Sequence, residues 1–310
     1  MGTRFEVALH GGDPLRLRAA AEEALDEIGR LDALLSFHAP SSQLAQVNAR
    51  AEREPVPVCA EVFSLLKHCD RLTAETRGAF DITIAPLLRC WKFIGQTGAT
   101  PSDAELDAAL QCTGWRHVEL DERASTVRIR RSGVQLDLGS VGKGYALGVA
   151  IDRLRELGVP HALMHGGTST VCALGLQPDG KPWRVAVDHP AATIESPQAP
   201  LAAVTLCGDT LSVSGVKSKS FTDEAGRLQG HVLDPRTGRP TQAARLAAVL
   251  LPSATESDAF STALLVDGEA GLTTLRTARP HLRALVAAPQ AQRWRIHSVG
   301  LQDGLLAGEC

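Results

Sequence analysis

Apolar residues recur at helical spacing from Leu17 through Ala21, Ala24, Ile28 and Leu31 to Leu35, which predicts a long amphipathic helix. Asp13-Pro14 supplies its start, an N-cap followed by proline at the first helical position. Thr3 to Leu9 reads as a strand before it. Pro40 to Ser42 falls in a polar loop. A second helix is expected from Ala60 to Thr76, with Val62, Leu65, Leu66, Cys69 and Leu72 on one face. Gly78 to Thr83 turns into an apolar stretch ending at Trp91, and Thr100-Pro101-Ser102-Asp103 opens a short helix.

Val127 to Arg130 and Val134 to Leu138 are expected to pair as strands around Ser132-Gly133. Gly142 to Leu157 reads as a helix closed by Gly158. His161 to Met164 reads as a strand entering Gly166-Gly167. Further strands are expected at Trp183 to Val187, Ala202 to Leu206, Leu246 to Leu251, Leu282 to Ala288 and Trp294 to Val299, with a buried helix from Ser257 to Val266. Helices and strands mix without a regular βαβ repeat, so the fold class is α+β. Ala191 to Pro200, rich in Pro and Ala, reads as an exposed insertion.

The length of 310 residues, 44% of them hydrophobic, supports a large core in one domain or two intimate lobes. The net charge of −3 gives no footprint for nucleic acid or an acidic membrane. Cysteines 59, 69, 90, 112, 172, 207 and 310 form no CxxC pair and no zinc spacing, which fits reduced thiols. No apolar run is long enough to span a membrane, and Glu6, His10 and Asp13 interrupt the start. Read as it stands, the chain is expected in the cytoplasm. A start further upstream would instead allow a periplasmic or membrane-anchored protein.

The richest segment for chemistry is Gly230-His231-Val232-Leu233-Asp234-Pro235-Arg236-Thr237-Gly238-Arg239-Pro240. It puts an imidazole, a carboxylate and a guanidinium on a turn shaped by Pro and Gly. The plainer reading is a surface turn with solvated charges. Asp137-Leu138-Gly139-Ser140-Val141-Gly142-Lys143-Gly144-Tyr145 passes from strand to helix and suits an anion at the helix N-terminus. Its glycine spacing is neither a P-loop nor a dinucleotide fingerprint. Asp258 and Thr262 lie four apart on one helical face and can offer oxygens to Mg²⁺. The plainer reading is an Asp favoured by its own helix dipole, with Thr262 bonded back to the preceding turn. His10, His68, His117 and His161 have no evident partners in the sequence.

Taken in order, these motifs resemble the flavin transferases of the ApbE family, also called FAD:protein FMN transferases. The resemblance runs from Met1-Gly2-Thr3 through Ser36 to Ser42 and Asn48, then Gly78 to Thr83 with Pro86 and Trp91. It continues through Asp137 to Tyr145, Gly166-Gly167, Pro182-Trp183, Ser214-Gly215, His231 to Pro240 and Asp258 to Ala263. It implies a single domain over 1–310, with mixed or antiparallel sheets, packed helices and a T-fold-related architecture. A nucleotide site between two intimate lobes would follow.

The resemblance further implies Mg²⁺-dependent transfer of FMN from FAD to a Thr or Ser hydroxyl of an acceptor protein, with release of AMP. Ser140, Asp258 and Thr262 would hold the metal. His231 would take the proton, directly or through water, or only bind a phosphate. Met1, His38, Ala79, Phe80, Asp81, Asp137 and Lys143 would contact FAD, Lys143 reaching a phosphate or a neighbouring carboxylate. Four positions depart from the family pattern. His38 replaces a Tyr, Gln43 a Glu and Gly148 an Asp, and Val216-Lys217-Ser218 follows Ser214-Gly215 where Asp-Tyr is common. Hydrolysis of FAD to FMN and AMP, or FAD binding without chemistry, are the other readings.

Overall fold

A computed structural model describes residues 2–95, 97–192, 196–216, 219–290 and 293–301. The first half contains β1 (Phe5–His10), α1 (Pro14–Leu35), α2 (Gln43–Arg50), β2 (Val56–Pro57), α3 (Ala60–Glu75) and α4 (Ala85–Cys90). It continues with α5 (Asp103–Gln111), β3 (Val118–Asp121), β4 (Thr126–Ile129) and α6 (Gly142–Glu156). There follow β5 (His161–Gly166), β6 (Thr170–Leu174), β7 (Trp183–Val187), β8 (Ala202–Leu206) and β9 (Thr210–Gly215). The remainder is β10 (Ser220–Thr222), β11 (Leu228–Gly230), β12 (Leu246–Leu251), α7 (Ala254–Asp267), α8 (Glu269–Ala278), β13 (Arg283–Gln290) and β14 (Arg293–Val299). The fold is mixed, with antiparallel sheets, as the sequence leads one to expect. The chain forms two compact units.

The first unit takes the chain up to Arg30, Val141–Gly215, and Ala244 onward. Its centre is a seven-stranded antiparallel sheet in the order β1-β5-β6-β9-β12-β13-β14. One face of this sheet carries Leu211, Leu246, Ala248, Leu250 and Leu285, which cluster with Trp183, Val187, Val204 and Leu206 of the β7–β8 hairpin. α7 packs on β9 and β12, and α6 on β5 and β6. On β9 the hydroxyl residues Thr210, Ser212 and Ser214 alternate with Leu211 and Val213, so they occupy the opposite face from the apolar cluster. Ala191 and residues 196–200 are exposed and Ala192 is half-buried; residues 193–195 lie outside the described residues.

The N-cap reading of Asp13 holds: its Oδ1 accepts from the Arg16 N–H at 3.0 Å. All four histidines read as unpartnered have partners: Arg71 Nη2 lies 2.8 Å from His68 Nε2, and His117 is hydrogen-bonded to the Gln111 backbone. His10 and His161 face each other in the β1–β5 register, and their rings stack 4.5 Å apart. The spacing of two residues on separate strands carries no sequence signal for that contact.

The second unit takes Leu31–Ser140 and Val216–Ala243. It holds a three-stranded sheet, β2-β4-β3, and the β10–β11 hairpin. The expected strand pair around Ser132-Gly133 is not formed. β4 pairs instead with β3, across a turn in which Asp121 Oδ1 accepts from the N–H groups of Arg123 and Ala124. Val134 to Leu138 is held by side chains rather than by a ladder. Asn48 accepts the Leu136 N–H at 2.7 Å and donates to the Leu136 carbonyl at 2.8 Å. α2, which supplies Asn48, was not expected; its Ser42 N-cap accepts the Ala45 N–H, and its Leu44 and Val47 are buried.

An apolar cluster of Leu87, Trp91, Phe93, Leu106 and Leu233 fixes the later part of this unit. α5 begins with a full capping box between Ser102 and Glu105. Among the described residues, no helix is long and apolar enough to cross a membrane.

Candidate functional site

In the first unit the chemistry gathers where α6 begins. The Gly144 N–H donates to Asp258 Oδ2 at 2.9 Å, and the Lys143 ammonium lies 3.9 Å from the same oxygen. Asp258 is buried, with 3% exposure. Burial pushes its carboxyl above the ordinary range, while Lys143 and the Gly144 N–H pull the other way. Of the two destinations open to Lys143 in the sequence, the neighbouring carboxylate is thus seen directly.

Asp258 does not start its helix. α7 begins at Ala254 behind the Ser253 N-cap, so a full turn precedes Asp258. The plainer reading by its own helix dipole therefore fails. It is α6 that presents an N-terminal amide to Asp258. Glycine at 144 makes this approach possible: a Cβ there would lie 2.3 Å from the Ala254 carbonyl oxygen and 2.7 Å from Asp258 Cβ.

The other half of that reading is present. Thr262 Oγ1 lies 3.4 Å from the Asp258 carbonyl oxygen, one turn back. Two further hydroxyls, missed in the sequence, join it. Ser261 Oγ donates to the Asp258 carbonyl at 2.9 Å, and Ser214 Oγ lies 2.8 Å from Ser261 Oγ and 3.4 Å from Thr262 Oγ1. The Ser214-Gly215 pair was visible as a motif, but nothing in the sequence set it against α7.

These residues suit Mg²⁺. Asp258 Oδ2 takes both the Gly144 amide and Lys143, and Oδ1 accepts no hydrogen bond from the described residues. Mg²⁺ binds oxygen and is commonly held by one or two carboxylates together with substrate phosphates. The described residues hold no group of three or more His, Cys, Asp and Glu side chains able to bind a metal, so a cation here would meet one carboxylate with hydroxyls. Ser140 is half-buried, is the last residue of its segment in the second unit, and precedes Val141, the N-cap of α6.

In the second unit, Asp81 is buried and largely engaged by its own fold. Its Oδ1 accepts from the Thr83 N–H and hydroxyl at 2.8 and 2.7 Å, and its Oδ2 from the Trp115 N–H at 2.9 Å. Burial raises its pKa, against those hydrogen bonds and Arg116. Ala79 and Phe80 are each 1% exposed, so their side chains serve the core. Asp137 lies beside this turn: its N–H donates to the Ile82 carbonyl at 2.7 Å, and its Oδ1 accepts from the Gly139 N–H at 2.7 Å. The sequence candidates at 79–81 and 137 are thus brought together. His38 is exposed, with its ring edge-on to Phe37, and Arg89 lies over Phe37. Gln43 accepts the Cys59 N–H at 2.8 Å and so anchors the start of α3. Met1 lies outside the described residues.

The turn at 231–240 is shaped as its Pro and Gly content implies. Asp234 and Arg236 pair as a two-pronged fork, at 2.8 and 2.9 Å. The Asp234 carbonyl accepts the Gly238 N–H, and the Trp91 indole N–H donates to the Gly238 carbonyl at 2.7 Å. The carboxylate and guanidinium thus brace the turn. His231 Nδ1 lies 3.2 Å from the Lys219 carbonyl oxygen. A carbonyl only accepts, so Nδ1 carries the proton and Nε2 the lone pair of the neutral ring. Phe93 meets the imidazole edge-on, with centroids 6.4 Å apart.

Residues 1–286 match the ApbE family. The FAD:protein FMN transferase of Salmonella typhimurium is 30% identical over 273 residues, covering 86% of this chain and 77% of that protein. That of Klebsiella pneumoniae is 31% identical over 273 residues, with the same coverage of 86% and 77%. Among solved structures, the apo form of Pseudomonas stutzeri flavinyl transferase ApbE superposes with a TM-score of 0.85 at 31% identity, covering 100% of this chain and 95% of that one. The flavin transferase ApbE from Vibrio cholerae gives a TM-score of 0.83 at 24% identity over 99% of this chain and 96% of that one, a likeness of fold.

Proposed function

The chain belongs to the ApbE family, and we propose that it transfers FMN from FAD to a Thr or Ser hydroxyl of an acceptor protein, using Mg²⁺ and releasing AMP. The observation that carries this reading is Asp258: a buried carboxylate with one oxygen held by Gly144 and Lys143 and the other without a protein partner among the described residues. Lys143 lies on the Oδ2 side, and Oδ1 is the oxygen open to a divalent cation. We take residues 1–310 to act as one flavin transferase domain.

Asp258 and Thr262 would hold Mg²⁺ in this reading, with Ser140 as a third oxygen. When bound, the ion neutralises charge on the pyrophosphate and its departing half. The acceptor oxygen forms a bond to the FMN phosphorus as the bond from that phosphorus to the bridging oxygen breaks. AMP leaves with the bridging oxygen and its electron pair. His231 takes the hydroxyl proton on Nε2, since its Nδ1 is already committed to the Lys219 carbonyl. Asp137 and the backbone of Ala79 and Phe80 line the nucleotide, with Asp81 shaping their turn. His38 offers an exposed aromatic ring to the flavin, and Met1 would be a further flavin contact.

The test is mass spectrometry after mixing the protein with FAD, Mg²⁺ and a Thr-bearing acceptor domain. An acceptor gaining the mass of FMN, matched by AMP and absent under chelation, is the expected result. AMP and free FMN with an unlabelled acceptor would instead make it an FAD hydrolase. Intact FAD throughout would make it a binding protein.

A further inference from the structure

We propose that Ser214 is a positioning residue that sets the orientation of the Thr262 hydroxyl and thereby the affinity of the site for its divalent cation. The inference rests on the reading of Asp258 and Thr262 as metal-binding oxygens.

The argument follows the protons of three hydroxyls. Ser261 donates to the Asp258 carbonyl at 2.9 Å. With that proton committed, the 2.8 Å contact between Ser214 and Ser261 requires Ser214 to donate and Ser261 to accept. Ser214 Oγ then meets Thr262 Oγ1, 3.4 Å away, with lone pairs only. The Thr262 proton has two acceptors on the protein side, Ser214 Oγ and, also at 3.4 Å, the Asp258 carbonyl. Ser214 Oγ, unable to donate to Thr262, holds that proton on its side together with the Asp258 carbonyl, and the pair turns the oxygen lone pairs of Thr262 away from the protein, the state in which a hydroxyl can bind a cation.

Burial sharpens the effect. Ser261 is 0% exposed, so its bonds do not exchange with water, while Ser214 and Thr262 are half-buried at the edge of the cluster. Ser214 is set by its strand: it opposes Ala247 in the β9–β12 register and lies on the hydroxyl face that meets α7. Residues of this kind, one bond removed from a metal, fix ligand orientation and are costly to remove.

The test titrates Mn²⁺ by electron paramagnetic resonance into the full chain with saturating FAD and no acceptor, against FAD alone. Ser214→Ala is expected to weaken Mn²⁺ binding by about tenfold or more, and Ser214→Thr, which keeps the hydroxyl, to restore most of it. Ser214→Cys, close in size but a poor donor, is expected to lose affinity like Ser214→Ala and covers the case in which the alanine variant does not fold. Thermal melts run alongside separate a packing defect from loss of orientation. Unchanged Mn²⁺ affinity in Ser214→Ala, with Asp258→Ala impaired, would overturn the inference and spare the metal reading. Undiminished binding in Asp258→Ala, or none by the wild type, would overturn the metal reading and this inference with it.

Discussion

The Gly144 N–H reaches Asp258 Oδ2 at 2.9 Å because nothing but hydrogen stands on the Gly144 α-carbon. The first turn of α6 and the middle of α7 are joined there. A methyl at 144 would meet a backbone carbonyl at 2.3 Å, which cannot swing aside as a side-chain tip can. Gly144→Ala is therefore expected to part the two helices, at roughly 1–3 kcal/mol as for other overpacked sites. Mg²⁺-dependent FMN transfer should fall with it. A wild-type melting temperature and wild-type turnover in this variant would show that the close approach is not needed.

Asp258→Asn separates charge from shape. The amide oxygen can still accept the Gly144 N–H, so the α6–α7 junction should survive in a thermal melt. The negative charge is gone, and with it an ion-pair partner of Lys143 and the proposed ligand for Mg²⁺. FMN transfer is expected to fall by at least about 100-fold, comparable to the loss of a main electrostatic stabiliser in other active sites. Transfer at the wild-type rate would remove Asp258 from the metal site.

His231→Ala should affect chemistry more than binding. The ring is seated between the Lys219 carbonyl and the edge of Phe93, so its loss leaves the braced Asp234–Arg236 turn in place. A drop in kcat of about 10²–10⁴-fold with little change in KM for FAD is expected for a proton acceptor. Parallel losses in kcat and FAD affinity, measured by steady-state kinetics and fluorescence titration, would make His231 a binding residue.

Much of this was legible from the chain. The periodicity of Ala24, Ile28, Leu31 and Leu35 gave α1, and the Asp258 to Thr262 spacing gave one face of α7. What stayed hidden has a common physical cause. Strand β9 reads Thr-Leu-Ser-Val-Ser-Gly, an alternation whose polar half suggests solvent. That half is instead covered by the small, hydroxyl-bearing face of α7, where Ser257 and Ser261 are fully buried. Leu136 was read as strand because it is apolar and flanked by apolar residues. Its backbone is satisfied by Asn48, 88 positions away in sequence, which no local pattern encodes. The pairing of Asp234 with Arg236 is local, but a short spacing alone does not distinguish a brace from two ligand contacts.

Gly238 tests the turn that carries His231. Its φ is +69°, and a Cβ would lie 2.8 Å from Leu106 Cδ1, 2.9 Å from Leu87 Cδ2 and 3.0 Å from Leu110 Cγ. Gly238→Ala combines a left-handed backbone with crowding in the apolar cluster, and should cost roughly 1–3 kcal/mol in urea denaturation. Trp91→Phe removes the indole N–H bonded to the Gly238 carbonyl together with part of a buried ring, and should cost more than the about 1 kcal/mol of the hydrogen bond alone. Equal stabilities of wild type and Gly238→Ala would mean the turn relaxes freely.

Asp81 makes a prediction in pH. Its carboxylate is buried, so the folded chain holds the Asp81 proton to a higher pH than the unfolded chain does. The sign follows from linkage: this contribution to stability is complete below the ordinary value of 3.8 and is lost as pH rises through the raised folded value. Asparagine does not titrate, so it serves as the reference. In Asp81→Asn one oxygen can still accept from Thr83, but the amide NH₂ then faces the Trp115 N–H, donor against donor. The variant should therefore be weaker at neutral pH by roughly 1–3 kcal/mol, the cost of an unpaired buried donor. The margin by which wild type exceeds it should be widest in acid and should narrow as pH rises from 3.8. Urea denaturation across that range measures it directly. A margin that widens with rising pH would mean that the three hydrogen bonds to Asp81 outweigh its burial, and that its folded pKa lies below the unfolded one.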